Sequence, residues 1–296
     1  MQALTNQRSG IIMMILSAVC FSFKPIFAKL AYRHGVEPQV LLGMRMAIAI
    51  PLFWIVNYFT SGDSDICITK KDILYFILAG FVGFFLATET SFFALKYIDA
   101  SVNTLIIYTY PSIVTVLSYF ILKETITSRK IVALLMVLAG TSCVINVFKI
   151  SSSGIDSFGA FLSFMSALFF SLYYILTKML GKNIGSIRLT TYLLTAGGTF
   201  VIWVWHGTDI AQPIEVWGYA FGLATISTLI PFLLLGEGVR RIGASNAAIA
   251  SAVGPVTTIS LSYIMLGEAL TFLQIIGGVL IISGVVVLGR TKSAST

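Results

Sequence analysis

The stretch IDASVNTLIIYTYPSIVTVLSYFILKETITSRKIVALLMVLAG, residues 98–140, returns without gaps 144 positions later as IGASNAAIASAVGPVTTISLSYIMLGEALTFLQIIGGVLIISG, residues 242–284. Twelve of the 43 positions are identical, among them Ala100/Ala244, Ser101/Ser245, Pro111/Pro255, Ser118/Ser262, Tyr119/Tyr263, Glu124/Glu268, Thr127/Thr271 and Gly140/Gly284. Apolar residues match by composition alone in a hydrophobic chain, but shared Pro, Glu, Thr and Gly do not. A second echo lies upstream, where Ser17–Lys29 matches Ser166–Lys178 at an offset of 149 with six identities in thirteen positions. The chain reads as two homologous halves, 1–150 and 151–296.

Apolar residues make up 57% of the chain and charged residues 10%, with a mean hydropathy of +0.94. A soluble domain carries about 25% charge, so this chain could not cover its surface in water. A bilayer crossing needs roughly 20 apolar residues. Ten runs meet that need: 10–30, 38–59, 73–95, 101–121, 130–148, 158–179, 188–206, 216–239, 245–266 and 272–289. We number them segments 1 to 10. Arg8 gives segment 1 a basic start, but its apolar run passes Lys24 to about Tyr32 without a small-residue cleavage pattern, so it reads as a span and not a cleaved leader. The expectation is an all-α, multi-pass membrane protein with ten transmembrane helices.

Lys and Arg set the orientation. With the N-terminus in the cytoplasm, thirteen fall on inside segments: Arg8, Lys70, Lys71, Lys123, Arg129, Lys130, Lys178, Lys182, Arg188, Arg240, Arg241, Arg290 and Lys292. Four fall outside (Lys29, Arg33, Lys96, Lys149), and Lys24 and Arg45 lie within spans. That bias places both termini in the cytoplasm, and it makes the net charge of +7 a topology signal that calls for no nucleic acid. Each half holds five spans, an odd number, so the second enters the membrane inverted. Lys96 is outside while its partner Arg240 is inside, and the basic residues of 123–130 have no Lys or Arg counterpart in 267–274. Two inverted five-helix repeats are the architecture of secondary transporters, whose halves rock about a midplane site.

The run Ala94-Leu95-Lys96-Tyr97-Ile98 with Ala100-Ser101, followed by Pro111, Glu124, Thr127 and Gly140, resembles the EamA domain of the drug/metabolite transporter superfamily. Arg240-Arg241-Ile242-Gly243-Ala244-Ser245 with Pro255, Glu268 and Gly284 resembles it equally. The likeness covers nearly the whole chain as two tandem EamA domains. It implies ten helices, cytoplasmic termini, residence in a bacterial-type plasma (inner) membrane and alternating-access transport of amino acids or related metabolites, often export. It also implies a central cavity lined mainly by segments 1, 3, 4, 6, 8 and 9. Two features depart from the family's pattern: Lys24-Pro25 inside segment 1, where small or aromatic residues are more usual, and Glu89 inside segment 3.

The residues themselves suggest where a site would lie. Pro111 and Pro255 fall near the middle of segments 4 and 9 at equivalent places in the repeat. A proline frees a carbonyl one turn back, and matched proline-interrupted spans point to a transport site. On a continuous helix Thr104, Tyr108, Thr115, Ser118 and Tyr119 share the face of Pro111, and Ser251, Thr258 and Ser262 that of Pro255. Such polar stripes should face inward. Lys24 and Glu89 lie about fourteen and sixteen residues into their spans, at similar depths, so a salt bridge between them is feasible. Each alone costs about 2.5–3.5 kcal/mol near the bilayer centre on insertion scales. Lys24 suits a substrate carboxylate; Glu89 suits an ammonium or a shuttled proton. At an offset of 149, Lys24 and Pro25 correspond to Tyr173 and Tyr174, and at 144 Glu89 corresponds to Leu233. Arg45 is expected to snorkel from the outer leaflet, Glu237 to pair with Arg240 or Arg241, Glu124 and Glu268 to be structural residues before the starts of segments 5 and 10, Thr127 and Thr271 to cap those segments, and Trp203 and Trp205 to lie in an interfacial belt.

Other chemistries find little support. Cys20, Cys67 and Cys143 form no disulfide framework, and His34 and His206 form no metal-ligand cluster. There is no His-Glu-x-x-His, no paired-aspartate motif and no glycine-rich phosphate loop, so the expectation is a non-enzyme without metal or cofactor. The reading is a secondary carrier of small metabolites, an amino-acid or related zwitterion exporter. Its partners are a small-molecule substrate, the bilayer and, through Glu89, a coupling proton, in a monomer or a homodimer. A multidrug efflux carrier, a metabolite importer and a lipid-linked sugar flippase are the alternatives.

Overall fold

The computed structural model describes residues 2–60, 70–94, 97–98, 103, 106–144, 156–181, 184–266 and 271–289. Every regular element among them is helical. Seven helices are long and apolar enough to cross a membrane: Gln7–Tyr32, Pro38–Thr60, Lys71–Ala94, Ser157–Leu180, Ser186–Trp205, Ile214–Ile242 and Ala244–Met265. Segments 4, 5 and 10 contribute the shorter helices Tyr110–Ile121, Ser128–Val144 and Phe272–Gly289. The chain is a multi-pass membrane protein.

Burial is reversed relative to a protein in water. Phe120, Leu135, Ile264 and Phe272 are 60–78% exposed, while the hydroxyls of Ser17, Ser163, Thr190, Thr191 and Ser245 are wholly buried. Lipid tails are as apolar as a leucine side chain, so helix contacts depend on small residues and internal hydrogen bonds. Of the two tryptophans of segment 7, Trp203 is exposed, as a belt residue would be. Trp205 instead turns inward: its Nε1 donates to Thr208 O at 2.7 Å, and its ring lies where a side chain on Gly43 would stand.

Each principal helix pairing joins the two halves. Segment 1 packs on segment 8 as segment 6 packs on segment 3, and segments 2 and 7, 4 and 9, and 5 and 10 pair likewise. Segments 5 and 10 pack backbone to backbone through small residues. A Cβ on Gly140 would meet Gly277 O at 2.7 Å, and one on Gly284 would meet Ala133 O at 2.9 Å. Both Gly140/Gly284 and Ala133/Gly277 are 144 positions apart, so this is one contact made twice.

The repeated prolines Pro111 and Pro255 stand at interruptions of segments 4 and 9, as the sequence suggested, and Pro51 lies inside the helix Pro38–Thr60. Pro25, Pro111, Pro231 and Pro255 each stand second in a helix, Lys24–Tyr32, Tyr110–Ile121, Ile230–Ile242 and Gly254–Leu266; the third runs on unbroken from the π turn before it within Ile214–Ile242, and the other three are new helices. There the missing N–H is one the helix does not require. A turn at Ser22–Phe23 precedes the first, a turn at Tyr108–Thr109 the second and a 3₁₀ turn at Ser251–Val253 the fourth. π-Helical turns occupy Phe81–Leu86 in segment 3 and Thr225–Leu229 in segment 8, again starting 144 positions apart. Single π turns inside α-helices are frequent at functional sites.

Candidate functional site

The interruptions are tied together by four serines. Ser22 Oγ lies 2.8 Å from Ala18 O and 3.1 Å from Gly254 O, and it also pairs with the Thr257 hydroxyl. Ser171 Oγ lies 2.7 Å from Ala167 O and 3.3 Å from Tyr110 O. In each case the distant carbonyl belongs to the residue before a proline. Ser17 donates to Pro231 O and Ser166 to Ala87 O, both at 2.7 Å. Ser17/Ser166 and Ser22/Ser171 are repeat partners, as are Gly254/Tyr110 and Pro231/Ala87. Three of the six identities of the upstream echo, Ser17/Ser166, Ala18/Ala167 and Ser22/Ser171, therefore make the same bonds in both halves.

A cluster of phenols fills the space between segments 4, 6 and 9. Ser251 Oγ is 2.6 Å from Tyr110 OH and 3.0 Å from Tyr174 OH. The two rings stack at 5.7 Å, with Phe170 edge-on to Tyr110. The Tyr108 hydroxyl sits where a Cβ on Gly254 would be, so the glycine at that helix start makes room for it. Thr115 Oγ1 bonds Pro111 O at 2.7 Å and lies 3.1 Å from Ser245 Oγ, joining segments 4 and 9. Tyr173 packs edge-on to Phe232, which meets Phe21 and Phe84 in the same way. The π turn of segment 3 reaches this group, since Gly83 lies against the Tyr173 backbone.

The charged residues form a second group. Lys24 opens the second helix of segment 1, and its Nζ stands 5.6 Å from the centre of the Phe92 ring. Phe92 is one turn beyond Glu89 on segment 3, so Lys24 faces the stretch of helix that carries the acid. Among the described residues no ion pair joins Lys24 to Glu89. Arg45 corrects a further expectation: it is buried within the protein, 4% exposed, and does not snorkel.

Glu124 also departs from its expected role. Its carboxylate accepts from Ala244 N at 2.9 Å and Ser245 N at 3.3 Å, across the interface between the halves, with Lys130 Nζ at 3.8 Å. Gly243, at φ +82°, turns the chain there, and a Cβ on it would overlap the carboxylate. Thr127 takes the capping task for segment 5, accepting from Lys130 N at 3.3 Å. Thr271 does so for segment 10 in a reciprocal pair with Gln274. Nearby, Glu237 binds both arginines in place of one: Arg240 Nη2 and Arg241 Nε each lie 2.6 Å from its Oε1. Ser186 donates to its other oxygen, and Arg241 continues to Ser9.

The structure thus divides the candidate residues. Tyr108, Pro111, Thr115, Tyr174, Ser251 and Pro255 meet at the junction of segments 4, 6 and 9, with half-buried Thr258 one helical turn beyond Pro255. Tyr173 lies behind them, and Lys24 and Glu89 lie apart. Thr104 falls outside the described residues. Tyr119, eight residues beyond Pro111 on the same helix and so about 80° round from it, is half exposed and leaves the stripe. Tyr110 and Ser22 were missed. Steps of three and four from Pro111 pass over Tyr110, its immediate neighbour at the start of the helix Tyr110–Ile121. Adjacency to a repeated proline was the signal that could have found Tyr110.

Against this geometry, the pattern of the EamA-like transporter family matches residues 8–146 and again residues 157–290. The chain belongs to the EamA-like transporter family. It is 30% identical to the transporter YcbK of Bacillus subtilis (strain 168) over 278 residues, which cover 91% of this chain and 89% of YcbK. It is 24% identical to the inner membrane transporter YicL of Salmonella typhimurium over 96% of both chains. A protein of known crystal structure shares the fold, with a TM-score of 0.81 at 17% identity over 95% of this chain and 96% of that one. Membership in the EamA-like family makes the chain a membrane transporter of small molecules.

Proposed function

We propose that this EamA-like protein is a secondary, alternating-access carrier that exports small metabolites, amino acids or related organic zwitterions. Its ten segments form two inverted five-helix repeats, 1–150 and 151–296, with both termini cytoplasmic. The thirteen-to-four distribution of basic residues supports that topology. One observation carries the reading: two serine-to-carbonyl bonds recur at paired helix interruptions. An interrupted helix at membrane depth is tolerated where protein or a cavity satisfies its backbone. Here those breaks line the contact between halves, where rocking would open and close a midplane site. Lys24, Glu89, Thr104, Tyr108, Pro111, Thr115, Tyr173, Tyr174, Ser251, Pro255 and Thr258 are the proposed lining. Glu124, bonded across to Ala244 and Ser245, closes the cytoplasmic side in this conformation. Its release is a required step of inward opening, and Glu89 is the group that would carry a coupled proton.

Reconstitution into liposomes tests this. Labelled amino acids and other metabolites are screened for saturable uptake, and the active case is repeated with and without a pH gradient. Lys24→Ala and Glu89→Gln are expected to lose most of the uptake while folding normally. If both folded variants transport as the wild type does, the proposed site is wrong.

A further inference from the structure

Arg45 sits deep in segment 2 between Met44 and Met46, which are 0% and 1% exposed, and its Nε has no hydrogen-bond partner. Helices Lys24–Tyr32 and Pro38–Thr60 pack against each other on either side of the short turn at 33–37, and Lys24, eight residues before the end of the first, stands at a depth similar to Arg45, seven residues after the start of the second. Lys24, Ala28 and Tyr32 follow one another at steps of four on one face of the first helix, and Ala28 packs in the same apolar cluster as Met44. On the other side the Lys24 ammonium stands over Phe92, one turn from Glu89. Two cations therefore share a membrane-embedded region with one acid, and among the described residues no carboxylate pairs with either cation.

Like charges so placed repel, and a buried charge without a partner is strongly disfavoured. Elsewhere among the described residues cations meet carboxylates, as where Arg240 and Arg241 share Glu237 and Lys130 meets Glu124. Lys24 and Arg45 do not, at the entry to a helix broken at Ser22–Phe23. A zwitterion would leave the surplus positive charge in place, whereas a net-anionic solute would offset it.

We propose that Lys24 and Arg45 together hold a carboxylate of the transported solute, and that the cargo is a net-anionic metabolite such as an acidic amino acid or a short dicarboxylate. Arg45 offers the planar fork that grips a carboxylate through two parallel bonds, and Lys24 adds a point charge. Phe92 and Glu89 face the remainder of the solute. A lipid phosphate is the poorer fit, because protein encloses Arg45 on its own helix. The proposal rests on the transport reading above and narrows its substrate class.

The test is thermal melting of the purified full-length protein in detergent, titrated with sodium glutamate, sodium succinate or glutamine at matched ionic strength. Glutamate and glutamine differ essentially by one charge. At least one of the two acids is expected to raise the melting temperature more than glutamine does. Arg45→Gln and Lys24→Gln are each expected to weaken that acid about tenfold or more. Ligand-free Arg45→Gln is expected to melt no lower than the wild type, because a repulsion has been removed; a merely structural arginine would lower it. Should Arg45→Gln fail to fold, Lys24→Gln decides alone. The proposal is overturned if neither acid stabilises the protein, if the shift survives both variants, or if vesicles doped with phosphatidylglycerol stabilise it and the acids do not. Parallel liposome uptake separates the two ideas. Glutamine uptake indifferent to Arg45→Gln would leave transport standing and remove the anion site. Acid binding that needs Arg45, with no solute transported, would do the reverse.

Discussion

Segments 1 and 6 hold their neighbours by the same two bonds, yet two residues beyond the second bond one presents an ammonium and the other a phenol. Ser17 and Ser22 bond Pro231 O and Gly254 O; Ser166 and Ser171 bond Ala87 O and Tyr110 O. Then come Lys24 on one side and Tyr173 on the other. The same contrast holds for the carbonyl partners, since the residue before the repeated proline is Gly254 in one half and Tyr110 in the other. Contacts that hold the halves together recur, and side chains in the space between them differ. The difference separates scaffold from site: a contact made twice serves packing, and a residue whose partner has other chemistry is a candidate for recognition.

The scaffold side of that comparison can be broken first. Gly140→Leu pushes segment 5 against the Gly277 carbonyl, and Gly284→Leu pushes segment 10 against the Ala133 carbonyl. Backbone cannot yield as a side chain can, so each should cost about 3 kcal/mol by overpacking. The two should match in lost melting temperature and lost monodisperse protein. A large inequality would mean that the halves do not share this interface equally. Glu124→Ala comes next. It removes two charge-assisted bonds to the start of segment 9, about 2 kcal/mol in all. Its readout is accessibility: a cysteine placed at Asn246 should label faster from the side carrying Arg240. Unchanged labelling would show that Glu124 fastens nothing across the halves.

Much of this was legible from sequence, for a definite reason. Helix number, polytopic character and duplication follow from hydrophobic run length and from a fixed offset, and both are properties of the chain in one dimension. The serines, Gly140/Gly284 and Thr127/Thr271 were visible as identities. What stayed hidden were the helix breaks. Periodicity assumes a continuous rotation of about 100° per residue and cannot show the turns at Ser22–Phe23 and Tyr108–Thr109. Steps of three and four from Pro111 also pass over its neighbour Tyr110, and Tyr119, eight residues on within Tyr110–Ile121, lies about 80° off that face. Arg45 was hidden for another reason: position along a span gives depth in the membrane but not direction, and an arginine near a leaflet can face lipid or protein. Glu124 illustrates the third limit. It has local tasks open to it at the start of segment 5, and only the folded chain brings Ala244 within 2.9 Å.

Smaller substitutions sharpen the comparison. Ser22→Ala and Ser171→Ala each remove one repeat-paired bond, and interhelical bonds of this kind are worth about 1 kcal/mol in a bilayer. Equal losses of melting temperature are expected if the bonds are equivalent. Ser22 also pairs with Thr257, a bond for which no counterpart at Ser171 is found among the described residues, so any inequality should fall on the Ser22 side.

The smallest expected effect tests the site side. Tyr110→Phe and Tyr174→Phe each delete one hydroxyl from the pair around Ser251 and keep the stacked rings, so the packing contribution survives. Each should lower stability by only about 0.6 kcal/mol, close to the limit of a melting experiment. Ser251 keeps one phenol in either variant and its bond to Ala248 O at 2.9 Å, so neither change leaves it without a partner. Transport should respond differently. If this cluster lines the pathway, the two variants alter the KM of the carried solute unequally, because Tyr110 belongs to a helix start and Tyr174 to the middle of a continuous helix. A helix start next to a turn can shift when the halves rock; a residue inside 24 unbroken positions moves only with its whole segment. Equal and negligible changes in KM for both would make the phenols part of the scaffold, and the site would then contract to the charged residues of segments 1 to 3.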